Sequence, residues 1–355
     1  MRIAQIIGTY EYGGIGNIIT NIAYGLKNRG HEVEIVCVRK RLDLKDIRIK
    51  SFESRLRPTI LWGTLGMMKY LKVFDIIHIH GSLPIIYSLL KLKNQKIVYT
   101  HHGWHIGVEE TEFKTKIGSS FFLKLYQLLS HRIDIFIAIS RWAQKEIKLF
   151  FNREAFLLRN PVDEKKFRPK RVEYNQKIGD PMILSVGRNR PHKGHIYEIL
   201  AMMEVVKSYP NSKLVIVGED YEPLIPVVRK LNLERNIVFL GKVDEDKLIT
   251  LYNACDIYIS ASFWELFGLT FLEALFCGKP IVARNAFAMT ELVRESRAGV
   301  LFNKNEEIHE AIIECLSRKK EFERNALLFR KRYIRQNNWE KYIKSLETIY
   351  EKVIL

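Results

Sequence analysis

The sequence predicts an α/β fold made of two tandem units, each with its own parallel sheet. Three observations carry that prediction. Short runs rich in Val and Ile alternate with amphipathic helical stretches along most of the chain. The strand runs are mostly apolar on both faces, the pattern of parallel strands covered by helices on each side. The alternation breaks once, in a charged aperiodic stretch around residues 164–181, and then restarts. A length of 355 residues exceeds one ordinary core and suits two domains of roughly 150–180 residues.

Residues 2–7 read as the first strand, 14–28 as a helix and 32–38 as the second strand. Residues 75–79, 96–100 and 133–139 supply three more strands, and 121–129 is an apolar helix candidate. The stretch from Glu164 to Arg171 is charged and leads to Gly179-Asp180-Pro181, a linker by composition. Strands are then expected over 182–186, 213–217, 237–240, 257–260 and 280–283, with helices between them. From about 306 onward the pattern is largely helical, with Trp339 and Tyr342 placed to pack against the body.

The net charge is +17, of which residues 1–170 carry +14 and residues 171–355 carry +3. A basic excess confined to one half marks an anionic partner for that half. Cys37, Cys255, Cys277 and Cys315 lie among apolar neighbours and form no C-x-x-C pair, so buried reduced thiols and a reducing compartment are expected. The apolar run after Arg2 is short and soon meets Gly13-Gly14, unlike a secretory signal. No stretch approaches the ~18–20 apolar residues of a spanning helix. The expectation is a soluble protein that at most sits on a membrane.

Ligands of open α/β sheets bind at the carboxyl ends of the strands, so the residues just after each strand are the candidates. Two such units facing each other would place the site in the cleft between them. The strongest local signal runs from Phe263 through Glu265, Phe267, Gly268 and Leu269 to Glu273. Two glutamates eight positions apart bracket a turn between a strand and a helix. A helix N-terminus suits a phosphate, and Gly268 permits close backbone approach. Glu265 can accept hydrogen bonds from sugar hydroxyls, and Glu273 can grip the vicinal hydroxyls of a ribose.

The second signal is the loop from Gly187 and Arg188 to Lys193 and Gly194, where a guanidinium and an ammonium can clamp a diphosphate. Either motif alone is equally a solvated charged loop; their occurrence in one half favours the shared site. The third is the turn Tyr12-Gly13-Gly14-Ile15-Gly16 after the first strand. It does not match G-x-G-x-x-G, so NAD binding is not expected, but it allows close approach to phosphate or sugar. The fourth is Tyr99-Thr100-His101-His102-Gly103-Trp104-His105. With no paired carboxylate nearby and no H-E-x-x-H helix, a metal is not expected, and His102 reads as a neutral hydrogen-bonding group. Of His78 and His80, one is expected to face the core as a satisfied histidine.

In these residues the chain resembles glycosyltransferase family four, retaining enzymes of the GT-B fold. The likeness runs through Gly13-Gly14, Arg29-Gly30-His31-Glu32-Val33, Asp75 to His80, His102-Gly103, Asn160-Pro161-Val162-Asp163, Gly187-Arg188, Lys193-Gly194, Val217-Gly218, Leu240-Gly241 and Glu265 to Glu273. It implies two Rossmann-like domains whose parallel sheets face an interdomain cleft, over residues 1–170 and 171–335. A last helix over 336–355, including Trp339-Glu340, would cross back to the first domain. It also implies that Arg188 and Lys193 hold the donor diphosphate, with Gly13 and Gly14 approaching from the other domain. Glu273 would bind the ribose. Glu265 and the Phe267-Gly268-Leu269 backbone would hold the transferred sugar, and His102 would hydrogen-bond that sugar or assist departure. The implied substrate is a nucleotide-diphosphate sugar, with no cofactor and no metal requirement.

Two departures stand out. Asn160-Pro161-Val162-Asp163 replaces the family's frequent Asn-Gly-Val-Asp, and Arg284-Asn285-Ala286-Phe287-Ala288 stands where a Gly-Gly pair is common. The second makes donor specificity unsafe to borrow. The basic first half, including the stretch from Arg39 to Arg57 and the Lys-Phe-Leu mixture over 114–129, points to a glycan or lipid-linked acceptor and to an anionic membrane surface. A cytoplasmic location, peripheral on the membrane face, is expected. The rivals are a GT-B epimerase or phosphorylase and a basic nucleic-acid-binding protein. The latter leaves the paired glutamates unexplained, so no nucleic-acid partner is expected.

Overall fold

The computed structural model describes residues 1–11, 13–53, 66–67, 69–81, 88, 91, 95–103, 124, 127–128, 130–173 and 176–355. The chain divides into two compact units, one of Met1–Pro161 with Trp339–Leu355, the other of Val162–Asn338. These divisions stand beside expected boundaries at 170/171 and 335/336. The helix candidate at 121–129 lies mostly outside the described residues, as do Tyr12, Trp104, His105, Arg57 and most of 114–129.

The first unit runs β1 (Arg2–Tyr10), α1 (Gly14–Lys27), β2 (Glu32–Lys40), β3 (Arg48–Ser51), β4 (Ile76–His80), β5 (Lys96–His101), β6 (Ile135–Ala138), α2 (Arg141–Phe151) and β7 (Ala155–Leu157). Its seven strands are all parallel in the order β3-β2-β1-β4-β5-β6-β7. The order reverses between β1 and β4, which opens a crevice at their carboxyl ends. Ile3, Ile6, Ile35, Ile77, Ile79, Val98 and Ile137 are buried at the sheet's heart, which explains the two-sided apolar runs.

The second unit runs β8 (Met182–Val186), α3 (His195–Ser208), β9 (Lys213–Val217), α4 (Ile225–Lys230), β10 (Ile237–Gly241), α5 (Glu245–Ala254), β11 (Ile257–Ser260), α6 (Leu269–Phe276), β12 (Ile281–Arg284), α7 (Phe287–Ser296), β13 (Gly299–Phe302), α8 (Ile308–Ser317) and α9 (Lys319–Gln336). Its parallel sheet has the order β10-β9-β8-β11-β12-β13. Here the reversal lies between β8 and β11, so the topology of the first unit repeats.

The last helix, α10 (Trp339–Ile354), packs in the first unit. Gly25 of α1 makes the close approach possible: a Cβ there would lie 2.6 Å from Ile343. Tyr342, Leu346 and Tyr350 are buried. Glu347 receives Arg29 at 2.6 Å and His31 at 2.8 Å, both from the turn after α1.

Among the described residues, ten of the thirteen strands coincide with an apolar run in the sequence. The strands missed, β3, β7 and β13, are all sheet edges. Arg48-Ile49-Lys50-Ser51 is largely exposed and Ala155-Phe156-Leu157 is only three residues long, so neither leaves a two-sided apolar run. All four cysteines are buried and none forms a disulfide. Among the described residues, no helix is long and apolar enough to cross a membrane.

Candidate active site

The second unit gathers its predicted residues at the β8/β11 switch point. The loop after β8 leaves at Gly187, whose N–H bonds Val217 O at 2.9 Å, and ends at Gly194. The loop after β11 runs from Ala261 to Gly268. These two loops are tied directly together. Phe263 N–H donates to His192 O at 2.7 Å, and the Ser262 hydroxyl donates to the same carbonyl at 3.2 Å. Gly194 sits at φ 72°, and a Cβ there would lie 2.5 Å from Ala261 O, so only glycine permits the contact.

Across this junction the Lys193 ammonium pairs with the Glu265 carboxylate, both largely buried. The Lys193 stem lies over Gly187, whose missing Cβ would stand 3.7 Å from it. Arg188, half-exposed, places Nε 2.9 Å from Glu219. Gly218 approaches the same loop so closely that a Cβ would lie 2.0 Å from Gly187 O. The Tyr221 hydroxyl donates to that carbonyl as well. The Gly187–Lys193 backbone is thus held from β9 and β11 at once.

Gly268 adopts φ 76° as the N-cap of α6, and no side chain caps that helix. The buried Phe267 side chain points to packing, which leaves its backbone as the part suited to a ligand. Leu269 opens the helix, and Glu273 follows one turn on. Tyr252 donates to Glu273 Oε2 at 2.8 Å. Burial pushes the Glu273 carboxyl up to about 7 despite that hydrogen bond, which acts in the opposite direction; the nearby Glu245 adds to the rise.

In the first unit, Gly13 (φ 151°) is the N-cap of α1 and Gly14 its first residue, after β1 at the β1/β4 switch point. Gly16 is needed where α1 leaves the turn, because a Cβ would lie 1.9 Å from Glu11 O. His102 follows β5 and is partly exposed. Its Nε2 lies 3.0 Å from Nδ1 of His80, at the end of β4. Burial, with His101 adding to it, lowers the His102 imidazole to about 3, so it is neutral at ordinary pH. The expectation that one of His78 and His80 faces the core is corrected: both are buried, with ring centroids 4.0 Å apart. Residues two apart in a strand share a face.

Residues 166–349 match the family described as Glycosyl transferases group 1, and residues 12–166 match Glycosyltransferase Family 4. The chain belongs to the group 1 glycosyl transferases.

Similar proteins agree. Alpha-monoglucosyldiacylglycerol synthase of Acholeplasma laidlawii is 26% identical, over 96% of this chain and 94% of that protein. N-acetyl-alpha-D-glucosaminyl L-malate synthase of Bacillus anthracis is 22% identical over 96% and 94%. Among solved structures, sucrose-phosphate synthase from Thermosynechococcus elongatus superposes with a TM-score of 0.83 at 19% identity, covering 99% of this chain and 98% of that one. Anabaena HepE in complex with UDP gives 0.81 at 18% identity, covering 99% and 100%. These structural likenesses establish the GT-B fold of two Rossmann-like domains.

Two features of this glycosyltransferase escape a reading of motifs. Arg284, the first residue of the stretch that departs from the family's frequent Gly-Gly pair, folds back rather than outward. Its guanidinium lies 4.1 Å from the Phe263 ring centroid, and Nη2 reaches Ala261 O at 3.3 Å and Asn305 Oδ1 at 2.6 Å. It straps the loop that carries Glu265. The second is the hydrogen-bonded chain behind His102, which includes Gln5 and the distant Tyr350. A Gln in a strand and a Tyr in a terminal helix carry no spacing signal that links them.

Proposed function

We propose that this glycosyltransferase moves a hexosyl group from a nucleotide-diphosphate sugar to an acceptor hydroxyl with retention of configuration. The observation that carries the reading is the convergence of Arg188, Lys193, Glu265 and the uncapped start of α6 at one switch point. Lys193 has three N–H donors, so engaging Glu265 leaves two for phosphate oxygens. Arg188 adds a planar fork suited to the same group. Glu273, with one oxygen on Tyr252, offers the other to ribose hydroxyls. The Phe267-Gly268-Leu269 backbone and Glu265 hold the sugar, and Gly13, Gly14 and His102 serve it from the first unit.

The anomeric C–O bond breaks with its electron pair passing to the diphosphate oxygen. The acceptor oxygen bonds to the anomeric carbon from the face the diphosphate leaves, and its proton passes to the departing phosphate. Charge grows on the diphosphate as the bond breaks, so Arg188, Lys193 and the helix start favour the transition state over the ground state. No metal and no cofactor enters this scheme.

A panel of UDP, GDP, ADP and their common sugars tests the donor. One nucleotide series is expected to raise the melting temperature, by about 2.7 kcal/mol of added stability at a hundredfold excess over Kd. A flat response across the panel, with Arg188→Ala and Lys193→Ala retaining turnover, sinks the reading.

The acceptor belongs, on this reading, to a glycan or lipid carried on an anionic cytoplasmic membrane face. In support, Leu128 and Leu149 are 67% and 71% exposed, and Lys124, Lys145 and Arg153 line the same surface depression, beside Lys148, which pairs with Glu154. The 39–41 stretch contributes less, since Lys40 pairs with Asp43 and Arg41 with Glu11. Sedimentation with vesicles is expected to show preference for anionic over zwitterionic lipid at moderate salt; equal binding to both counts against the membrane part.

A further inference from the structure

A continuous hydrogen-bonded chain crosses the core of the first unit and ends at His102. His102 Nε2 contacts His80 Nδ1 at 3.0 Å, and His80 Nε2 contacts Gln5 Oε1 at 2.7 Å. Gln5 Nε2 donates to the Tyr350 hydroxyl at 3.1 Å. That hydroxyl lies 2.6 Å from His78 Nδ1, and His78 Nε2 lies 2.6 Å from Thr100 Oγ1. Gln5, His78, Thr100 and Tyr350 are fully buried and His80 nearly so, while His102 is partly exposed. The chain therefore has one end that solvent or a ligand can reach.

The polarity of the chain follows from its amide. A neutral imidazole has one N–H and one lone pair, so each ring passes the donor sense along. Gln5 Oε1 only accepts, so His80 carries its hydrogen on Nε2 and its lone pair on Nδ1. His102 must then donate from Nε2. On the other side, Gln5 Nε2 donates to the Tyr350 hydroxyl, which lies against His78 Nδ1, and His78 Nε2 lies against Thr100 Oγ1. From His102 to Tyr350 every bond points the same way, inward. Burial lowers both inner imidazoles well below their ordinary range, which keeps them neutral and the polarity intact.

We propose that Gln5 and Tyr350 are positioning residues that hold His102 in its Nε2–H tautomer, so that its Nδ1 is an obligate acceptor. The inference rests on the reading that His102 touches the transferred sugar, and it sharpens that reading. An acceptor nitrogen accepts a hydrogen bond from a sugar hydroxyl; it offers no hydrogen to a departing phosphate oxygen. The terminal helix thereby enters the site's chemistry without touching the ligand, because Tyr350 orients the Gln5 amide. A purely structural role would need only that α10 stay docked, which Tyr342, Leu346 and the Glu347 pairs already secure.

Nitrogen NMR of the full-length protein labelled with [15N]-histidine tests this, with His102 assigned from the signals lost in His102→Asn. Wild-type His102 is expected to show a protonated Nε2 and a pyridine-type Nδ1. In Tyr350→Phe and Gln5→Leu the two His102 signals are expected to move toward each other as the tautomers mix. kcat should fall roughly tenfold, the equivalent of one neutral hydrogen bond, with donor KM changed less. A wild-type His102 protonated on Nδ1 overturns the proposal even where a variant fails to fold, and so does a fixed Nε2–H signal in both variants. Tautomer mixing with unchanged kcat and KM supports the relay and instead removes His102 from contact with the sugar.

Discussion

The crevice of the first unit, at the β1/β4 reversal, and that of the second, at β8/β11, share one topology and differ in electrostatic character. In the second unit the loops after the central strands carry Arg188, Lys193, Glu219 and Glu265 in ion pairs. In the first, β1, β4 and β5 carry Gln5, His78, His80 and Thr100, which join His102, just past β5, in a neutral hydrogen-bond chain through Tyr350. The parallel strand order decides where a ligand meets the backbone; the side chains at the strand ends decide what kind of ligand. A charged diphosphate belongs with the ion pairs, whose cations have donors to spare. A neutral sugar hydroxyl belongs with a neutral acceptor of defined polarity.

The sharpest way to break this contrast is to remove a charge from one crevice and compare it with a neutral change in the other. Lys193→Ala is expected to lower kcat roughly 100- to 1000-fold, as loss of a transition-state charge partner does, whereas the neutral relay variants lose about tenfold. Steady-state kinetics with the nucleotide sugar selected by the binding panel measures both. Equal losses would erase the distinction between the crevices.

The next effect concerns the scaffold under the charged crevice. Gly218→Ala should destabilise the second unit by about 2–3 kcal/mol, since its Cβ would lie 2.0 Å from Gly187 O at a φ of 151°. Thermal unfolding of the variant gives the value. Gly13→Ala in the first unit, where nothing lies within 4 Å of the added carbon, should cost less.

A third prediction uses pH. Glu273 is held up at about 7 by burial, so its carboxylate fraction rises about tenfold between pH 6 and pH 8. Affinity for a nucleotide sugar, whose diphosphate keeps the same charge across that range, should rise by up to that factor, and Glu273→Gln should flatten the curve in a titration by calorimetry. The sign for stability is opposite. Between the ordinary value of 4.5 and about 7 the folded protein binds more protons than the unfolded chain, so this group's contribution falls as pH rises. The neutral crevice has no such dependence above pH 5, since His102 titrates near 3.

The smallest effect tests the helix that closes the relay. Arg29 and His31 hold the Glu347 carboxyl below its usual range. A depressed acid contributes stability above its unfolded value and loses it as pH falls through the folded one. Glu347→Gln should lower the melting temperature at pH 7 by less than about 3 °C, with the difference from wild type shrinking toward acid. Undocking of α10 in this variant, seen as a change in the His102 nitrogen signals, would tie the ion pair to the relay as well.

Much of the fold was legible because buried parallel strands leave two-sided apolar runs, as in Ile76 to Ile79 and Lys213 to Val217. The edges were not, since Arg48–Ser51 and Ala155–Leu157 bury little and need little hydrophobic length. The charged candidates were legible for a related reason. Arg188, Lys193, Glu265 and Glu273 sit in loops or at a helix start directly after strands, where local spacing and geometry coincide. Arg284 shows the limit: its sequence neighbourhood marks only a departure from a common Gly-Gly pair, while its guanidinium lies on Phe263, 21 residues back along the chain.

By itself, the sequence determined the alternating α/β units, the glycine turns and the basic and acidic residues of the second crevice, all encoded within short stretches of chain. Only the tertiary structure decided that Lys193 meets Glu265 and that Gln5 meets both His80 and Tyr350, 345 residues away. Periodicity and turn chemistry act over a few residues, so they are written locally. The polarity of a hydrogen-bond chain depends on which donors face which acceptors across a packed core, and that is settled only when the strands and the last helix have come together.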